Sequence, residues 1–496
     1  MISAVNGRKK LIPLTKGNVD NAHIPVTRLR DFLPGDCFGS PRKATGTGKP
    51  IRIHLEGLGT TIETDIARDA KTGRPRRQFR GRWWVRKFLK HHNARAGDVL
   101  ELERLDERVY RLRVVNPTAS AAGGDRPIRV AEFFAGIGLV RWALERCGFR
   151  VVFANDIDPD KLGIYRDNFP TDDFILRDIH KVREEEIPDC DLATASFPCT
   201  DLSIAGAMKG IHTGESSAFW GLVRLLREMG DRRPPMVLLE NVPGFLLSHD
   251  GRDFESAMLS LNELGYACDA FLIDAACFVP QSRLRLFVVG KLGALGQVPF
   301  GIRPTPLRPD SLVDFIMAHP EIRWNLQRIP DPPKRTIALE SVLEDLPDDH
   351  TAWWSKERAN YFVSQFSDRH AAIAEKMISG RRYSYGTAFR RIRKGRSMAE
   401  LRTDGLAGCL RTPRGGSGRQ ILFKAGKGRY QVRLLTAREC ARLQGVDDAY
   451  RATVPLNHAL FGFGDAVCVP VIEWIAKYYL LPCLTEVRSV AMASAR

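Results

Sequence analysis

From Ile128 onward, short apolar runs alternate with stretches whose apolar residues recur at helical spacing. Ile128 to Phe134, Val151 to Asn155, the run beginning at Ala193, Met236 to Leu239 and Arg285 to Gly290 read as buried strands, with a helix reaching about Cys147. This rhythm predicts an α/β fold with a doubly wound parallel sheet over 128–291. Earlier in the chain the pattern differs. Between His23 and Val115 the runs IRIHLEGLG, TIETDIA, RWWVRKFL, GDVLELERL and RVYRLRV are broken by turns, and predict a mostly β domain over 23–116. Residues 1–22 are polar and basic without a period and read as a flexible arm, and 117–127 read as a linker. From 292 to 428 the α/β rhythm gives way to Pro-rich stretches, Trp324, Trp353-Trp354 and basic runs, so a smaller inserted domain is expected there. Residues 429–485 return to the first fold, and 486–496 form a tail.

Composition confirms a folded chain, with 44% apolar and 27% charged residues. No apolar run approaches the roughly 20 residues of a membrane span, and no hydrophobic signal core opens the chain, so a cytoplasmic location without membrane contact is expected. The ten cysteines form no CxxC pairs, which argues against a metal site and a disulfide framework. Charge is placed unevenly. Of the net +17, residues 1–126 carry an excess of 13, with 26 Lys and Arg against 13 Asp and Glu. A polyanionic partner follows from that excess. The basic loop from Lys71 to Arg82, with Arg76, Arg77 and Arg80, suits phosphate contact.

Candidate chemistry gathers where a parallel sheet presents ligands, beyond the carboxyl ends of its strands. ATASFPCTDLS carries Cys199 on the loop after one strand, and Glu240-Asn241-Val242 follows another, supplying a nucleophile and a proton donor. The first strand runs into EFFAGIGLV, whose Gly136 and Gly138 let backbone approach a ligand at a helix amino terminus. The third glycine of the dinucleotide fingerprint is missing, which counts against NAD. Asp156-Ile157-Asp158 and Asp178-Ile179 end the next two strands, where carboxylates can reach ribose hydroxyls and an adenine amino group. In Gln281-Ser282-Arg283-Leu284-Arg285, strand alternation sets Gln281, Arg283 and Arg285 on one face, and two converging guanidiniums suit a phosphate or a base carbonyl.

This ordered set, continued by Arg433 to Gly445 and by Gly464-Asp465-Ala466-Val467, resembles the DNA cytosine-5 methyltransferases over about three quarters of the chain. The resemblance implies a Rossmann-like methyltransferase domain interrupted by a target-recognition domain. It implies S-adenosylmethionine as cofactor, with Phe134, Gly136, Gly138, Asp156, Ile157, Asp178, Ile179, Pro198, Asp465 and Ala466 in its pocket. Cys199 and Glu240 become catalytic, Arg283 and Arg285 line the cytosine pocket, and Gln281, Ser203, Arg411, Thr412, Gly415 and Gly416 lie against double-stranded DNA. Two departures stand out: Asp465 replaces the commoner Asn, and Glu215 stands where a basic residue is frequent. Trp83 to Leu89 with Gly97 to Leu100 resembles the B3-like DNA-binding pseudobarrels. The expected activity is methyl transfer to C5 of a flipped cytosine through a covalent Cys199 adduct at C6. A cognate restriction endonuclease or another defence-system protein is the candidate protein partner. An RNA cytosine-5 methyltransferase and a catalytically silent DNA-binding regulator are the alternatives.

Overall fold

The computed structural model describes residues 9–26, 29, 31–40, 46–56, 58, 60–76, 78–80, 83–92, 94, 99–115, 127–198, 217–294, 302–393, 395–412 and 418–494. The chain forms two compact units, Met1–Asp125 and Arg126–Arg496.

The first unit contains β1 (Lys9–Pro13), β2 (Phe38–Gly39), β3 (Ile51–Leu55), β4 (Thr60–Thr64), β5 (Ile66–Ala67), β6 (Val99–Asp106) and β7 (Val109–Val115). A five-stranded sheet has the order β1-β6-β7-β3-β4, and β2 pairs with β5. Two expectations change here. The arm over 1–22 is partly structured, because β1 pairs antiparallel with β6 and buries Ile12 and Leu14 in the core. RWWVRKFL is a helix, Trp83–His91, and not a strand: its buried residues Trp84, Val85, Phe88 and Leu89 repeat at helical spacing. Charge on the sheet is largely cancelled across strands, Arg52 facing Glu63, Arg111 facing Glu103 and Arg113 facing Glu101. Exposed Lys71, Arg74, Arg76, Arg86, Lys87 and Lys90 add positive charge to the surface outside the sheet, and Trp83 is 68% exposed. Arg80 does not join them. Its Nε lies 2.7 Å from the buried Asp65 carboxylate and its Nη2 donates to the Ser40 carbonyl, so it braces the loop from within. Arg77 lies outside the described residues.

The second unit is built on β8 (Ile128–Phe133), β9 (Phe149–Asp156), β10 (Phe174–Leu176), β11 (Leu192–Ala195), β12 (Met236–Asn241), β13 (Tyr266–Asp274) and β14 (Leu284–Leu292), in the order β10-β9-β8-β11-β12-β14-β13. The doubly wound sheet is present, and β14 is its exception, running antiparallel to both β12 and β13. Only the short segment from Ala275 to Arg283 joins β13 to β14, too little chain for the crossover a parallel pair needs. Strand order reverses between β8 and β11, which sets the ligand crevice beyond their carboxyl ends. Two apolar clusters cover the faces, one including Ile137, Leu144 and Ile472, the other Phe197, Leu222 and Leu261.

A second sheet, β16-β15-β17-β18, uses β15 (Ser384–Arg393), β16 (Arg396–Arg402), β17 (Ile421–Gly426) and β18 (Arg429–Leu434). Since β18 pairs along its length with β17, the inserted region extends past residue 428 to Leu434. Beyond it, Leu456–Val487 is long and apolar enough to cross a membrane, contrary to the sequence expectation. In its most apolar window 67% is buried inside the fold, and Ile472, Ile475 and Leu480 belong to the core that packs on the main sheet.

Candidate active site

The turn after β8 is shaped by its glycines. Gly138, at φ +82°, caps the helix Leu139–Arg146, and a Cβ there would stand 2.5 Å from the Phe169 ring and 2.9 Å from Tyr165. Phe134 holds φ +56°, a conformation costly for a side-chain-bearing residue, so the turn is strained where it faces the crevice. Asp156, at the end of β9, secures this turn: one carboxylate oxygen accepts from Gly136 N at 2.7 Å and the other from Asp158 N at 2.9 Å. Burial raises the Asp156 carboxyl above the usual carboxylate range, against the pull of Lys161. Each oxygen retains lone-pair capacity for a hydroxyl donor. Next along the chain, Ile157 is 65% exposed, an apolar side chain left uncovered at the crevice.

At the end of β10, Asp178 accepts from His180 N at 3.0 Å and caps a short turn. The Ile179 side chain packs into the core. A Cβ on Gly221 would meet it at 2.7 Å. Asp465 is exposed and lies 2.8 Å from Lys161 Nζ. Burial opposes charge on Lys161, yet Asp465 and Asp156 hold its ammonium above the ordinary range. The charge of Asp465 is thus matched by a lysine that the sequence reading missed. Ala466 is half-buried and turns its carbonyl to Arg283.

Asn241, at the end of β12, donates from Nδ2 to the Phe197 carbonyl at 3.2 Å, and the Phe197 ring packs on Phe219 and Phe245. Together these fix the chain immediately before Cys199. Cys199, Ser203, Glu215, Gly415 and Gly416 lie outside the described residues. Glu240 is buried, and its Oε1 is 2.9 Å from Arg285 Nε.

Gln281, Arg283 and Arg285 do share a face, but Ala407 to Leu410 covers it. Gln281 is fully buried, donating to the Leu443 carbonyl at 2.8 Å and accepting from Leu410 N at 3.0 Å, which removes it from any DNA surface. Arg283 is 3% exposed, and its fork is spent on the carbonyls of Leu410, Gly464 and Ala466. It ties three segments together. Arg285 is the one of the two that reaches Glu240. Arg411 is exposed beside half-buried Thr412, and Gly464 lets this segment pass, since a Cβ there would fall 2.5 Å from the Arg411 carbonyl carbon.

One further group lies under the glycine turn. Burial pushes the Glu132 carboxyl up to about 8, with Arg141 only partly offsetting it, and neither oxygen makes a well-formed hydrogen bond. The folded protein therefore holds Glu132 neutral at pH 7, whereas the unfolded chain ionises it near its ordinary 4.5. Folding stability is full below 4.5 and erodes as pH rises toward 8. Relative to Glu132→Gln, the parent should lose about 3 kcal/mol between pH 4.5 and 7, measured by urea unfolding. Parallel curves for the two proteins would contradict this.

Comparison with known proteins fits this arrangement. The sequence model of the C-5 cytosine-specific DNA methylase family matches residues 128–480. The chain is 28% identical over 354 residues to the type II methyltransferase M.HhaI of Haemophilus parahaemolyticus, covering 70% of this chain and 93% of the relative. It is 29% identical over 354 residues to the type II methyltransferase M.NlaX of Neisseria lactamica, covering 70% and 95%. A shorter match, 36% over 171 residues, joins it to the type II methyltransferase M2.BsuMI of Bacillus subtilis, covering 33% and 42%. With the family match spanning the whole sheet, the inserted region and the returning helices, the chain belongs to the C-5 cytosine-specific DNA methylases.

Proposed function

We propose that the protein transfers a methyl group from S-adenosylmethionine to C5 of a cytosine flipped out of a specific duplex sequence. The observation that carries this reading is the buried Glu240–Arg285 pair at the end of β12, one strand from the β11 loop that leads into Cys199. S-adenosylmethionine fits the crevice on three counts: the close-approach turn at Gly136 to Gly138, the buried Asp156 carboxylate and the uncovered Ile157 side chain. When bound there it supplies an electrophilic methyl group. Phe134, Ile157 and Asp178 would hold its adenine side, Asp156 its ribose, and Pro198, Asp465 and Ala466 the remaining wall.

Cytosine C5 is a weak nucleophile, so the base itself has to be activated. The Cys199 thiolate adds to C6 while Glu240 protonates or hydrogen-bonds N3, which pushes electron density to C5. After methylation, loss of the C5 proton returns the electron pair and expels the thiolate. Arg285 orients Glu240 beside the base. A base in the stack cannot reach these groups, and flipping costs a few kcal/mol that crevice contacts must offset. Arg411, Thr412, Gly415 and Gly416 are proposed to meet the DNA, as is Ser203. Cytoplasmic location agrees with a DNA substrate. The type II names of the relatives support a role beside a cognate restriction endonuclease or another defence protein. Bisulfite sequencing of DNA from a methylation-free host expressing the protein tests the function. Cytosine protection at one recurrent sequence is expected, and unmodified DNA would refute it.

The amino-terminal unit is proposed to add duplex affinity through its exposed Lys71, Arg74, Arg76, Arg86, Lys87 and Lys90. Removing residues 1–120 should weaken DNA binding and reduce the log-log salt slope by about 0.9 for each phosphate that is no longer neutralised. Methyl transfer should persist, because every group assigned to chemistry follows Ile128. Unchanged affinity and slope would assign this surface to something other than DNA.

A further inference from the structure

A second thiol stands beside the Glu240–Arg285 pair. Cys409 is half-buried at the end of the segment that covers Arg283 and Arg285. Its sulfur is 3.3 Å from Arg283 Nη1 and 3.7 Å from Arg285 Nη2. Arg283 cannot drift, because its fork is bound to the carbonyls of Leu410, Gly464 and Ala466. The segment is pinned as well: Gly408 N donates to Gln420 Oε1 at 3.0 Å and Leu410 N to Gln281 Oε1 at 3.0 Å. Arg285 is held at separate nitrogens by separate groups, Nε by Glu240 at 2.9 Å, Nη1 by the Leu284 carbonyl at 2.9 Å and Nη2 by the sulfur. A chain of contacts thus runs from a fixed guanidinium, through the sulfur, to the arginine that orients the acid.

We propose that Cys409 is a positioning residue, whose sulfur steers the Arg285 guanidinium and through it sets the Glu240 carboxyl against the target base. The proposal rests on Glu240 serving methyl transfer as read above. The charged groups acting on the sulfur are Arg283, Arg285 and Arg411, with Glu240 on the far side of Arg285. Burial works to raise the thiol, but the three guanidiniums outweigh it and bring Cys409 down to about 7. Near neutral pH the sulfur is therefore substantially a thiolate, and a charged acceptor holds a guanidinium more firmly than a neutral thiol does. Serine in its place offers a shorter, uncharged acceptor, and alanine offers none.

Two measurements test this. In the full-length protein, Cys409→Ser should lower kcat about tenfold, and Cys409→Ala should lower it further, with cofactor and duplex affinity unchanged. Both should also lack a limb near pH 7 that the parent kcat profile shows. A limb of unchanged position and size in Cys409→Ser would belong to Cys199 and overturn the proposal. The second measurement needs no methyl transfer. In a Cys199→Ser protein, iodoacetamide labelling of Cys409, followed by peptide mass spectrometry across pH, should be half-maximal near 7. It should move toward the ordinary 9.0 when Arg285→Ala is added. Labelling centred near 9.0 from the outset, or unmoved by Arg285→Ala, overturns the contact. A parent protein that transfers no methyl group to DNA would instead refute the functional reading, and the labelling titration would still decide the contact.

Discussion

Glu240→Gln is expected to lower methyl transfer about 10²- to 10⁴-fold, the range lost when a general acid is replaced by its amide. The amide keeps the shape of the side chain and can still accept from Arg285, so the fold should survive. The crevice at Gly136, Asp156 and Ile157 is left intact, and cofactor affinity should be unchanged. A near-normal rate would make Glu240 structural. The paired arginines sharpen the test because the structure separates their work. Arg285→Ala should act mainly on turnover, since Arg285 is bonded to Glu240. Arg283→Ala should act mainly on stability, since it strands the carbonyls of Leu410, Gly464 and Ala466. Equal losses of turnover and stability in both would contradict that division.

The second large effect is on folding. Arg433 and Glu439 are both fully buried, and their bidentate pair closes at 2.6 and 2.5 Å. Glu439 also accepts from Thr436 N at 2.9 Å in a capping box and from Glu344 N at 2.8 Å. Arg433 stacks 5.0 Å over the Trp353 ring. The pair thus joins β18 of the inserted sheet to the helix Ala437–Leu443 and to the segment before Trp353. Glu439→Gln leaves a buried guanidinium without its counter-charge, so a loss of about 3–5 kcal/mol in urea unfolding is expected. A loss below about 1 kcal/mol would mean that water or a shifted carboxylate compensates Arg433. Arg433→Met with Glu439→Leu removes both charges together and should recover part of the loss, since the Thr436 and Glu344 N–H groups still lose their acceptor.

The main sheet was legible because its strands are short apolar runs with polar residues at their carboxyl ends, and those ends are where Asp156, Asp178 and Glu240 stand. Misreadings arose where partners are distant in sequence or where two periods compete. RWWVRKFL is apolar enough for a strand, and only the burial of Phe88 and Leu89 one turn after Trp84 and Val85 decides for a helix. Alternation put Gln281, Arg283 and Arg285 on one face correctly, yet it says nothing about what covers that face. The cover for Arg283 comes from Leu410, 127 positions further on. For the same reason the Lys161–Asp465 pair and the sulfur of Cys409 were missed, although every residue involved was visible. Arg80 illustrates how charge composition misleads, since a cation in a basic loop can be spent on a buried carboxylate.

Transfer of tritiated methyl from S-adenosylmethionine to duplex DNA, with parent and Cys199→Ser proteins compared side by side, decides whether the protein methylates cytosine through Cys199. Label is expected in 5-methylcytosine of DNA treated with the parent. None is expected with Cys199→Ser, whose cofactor binding stays near normal because the crevice residues are untouched. Label appearing at comparable rates with both proteins, or in neither DNA sample, would contradict this.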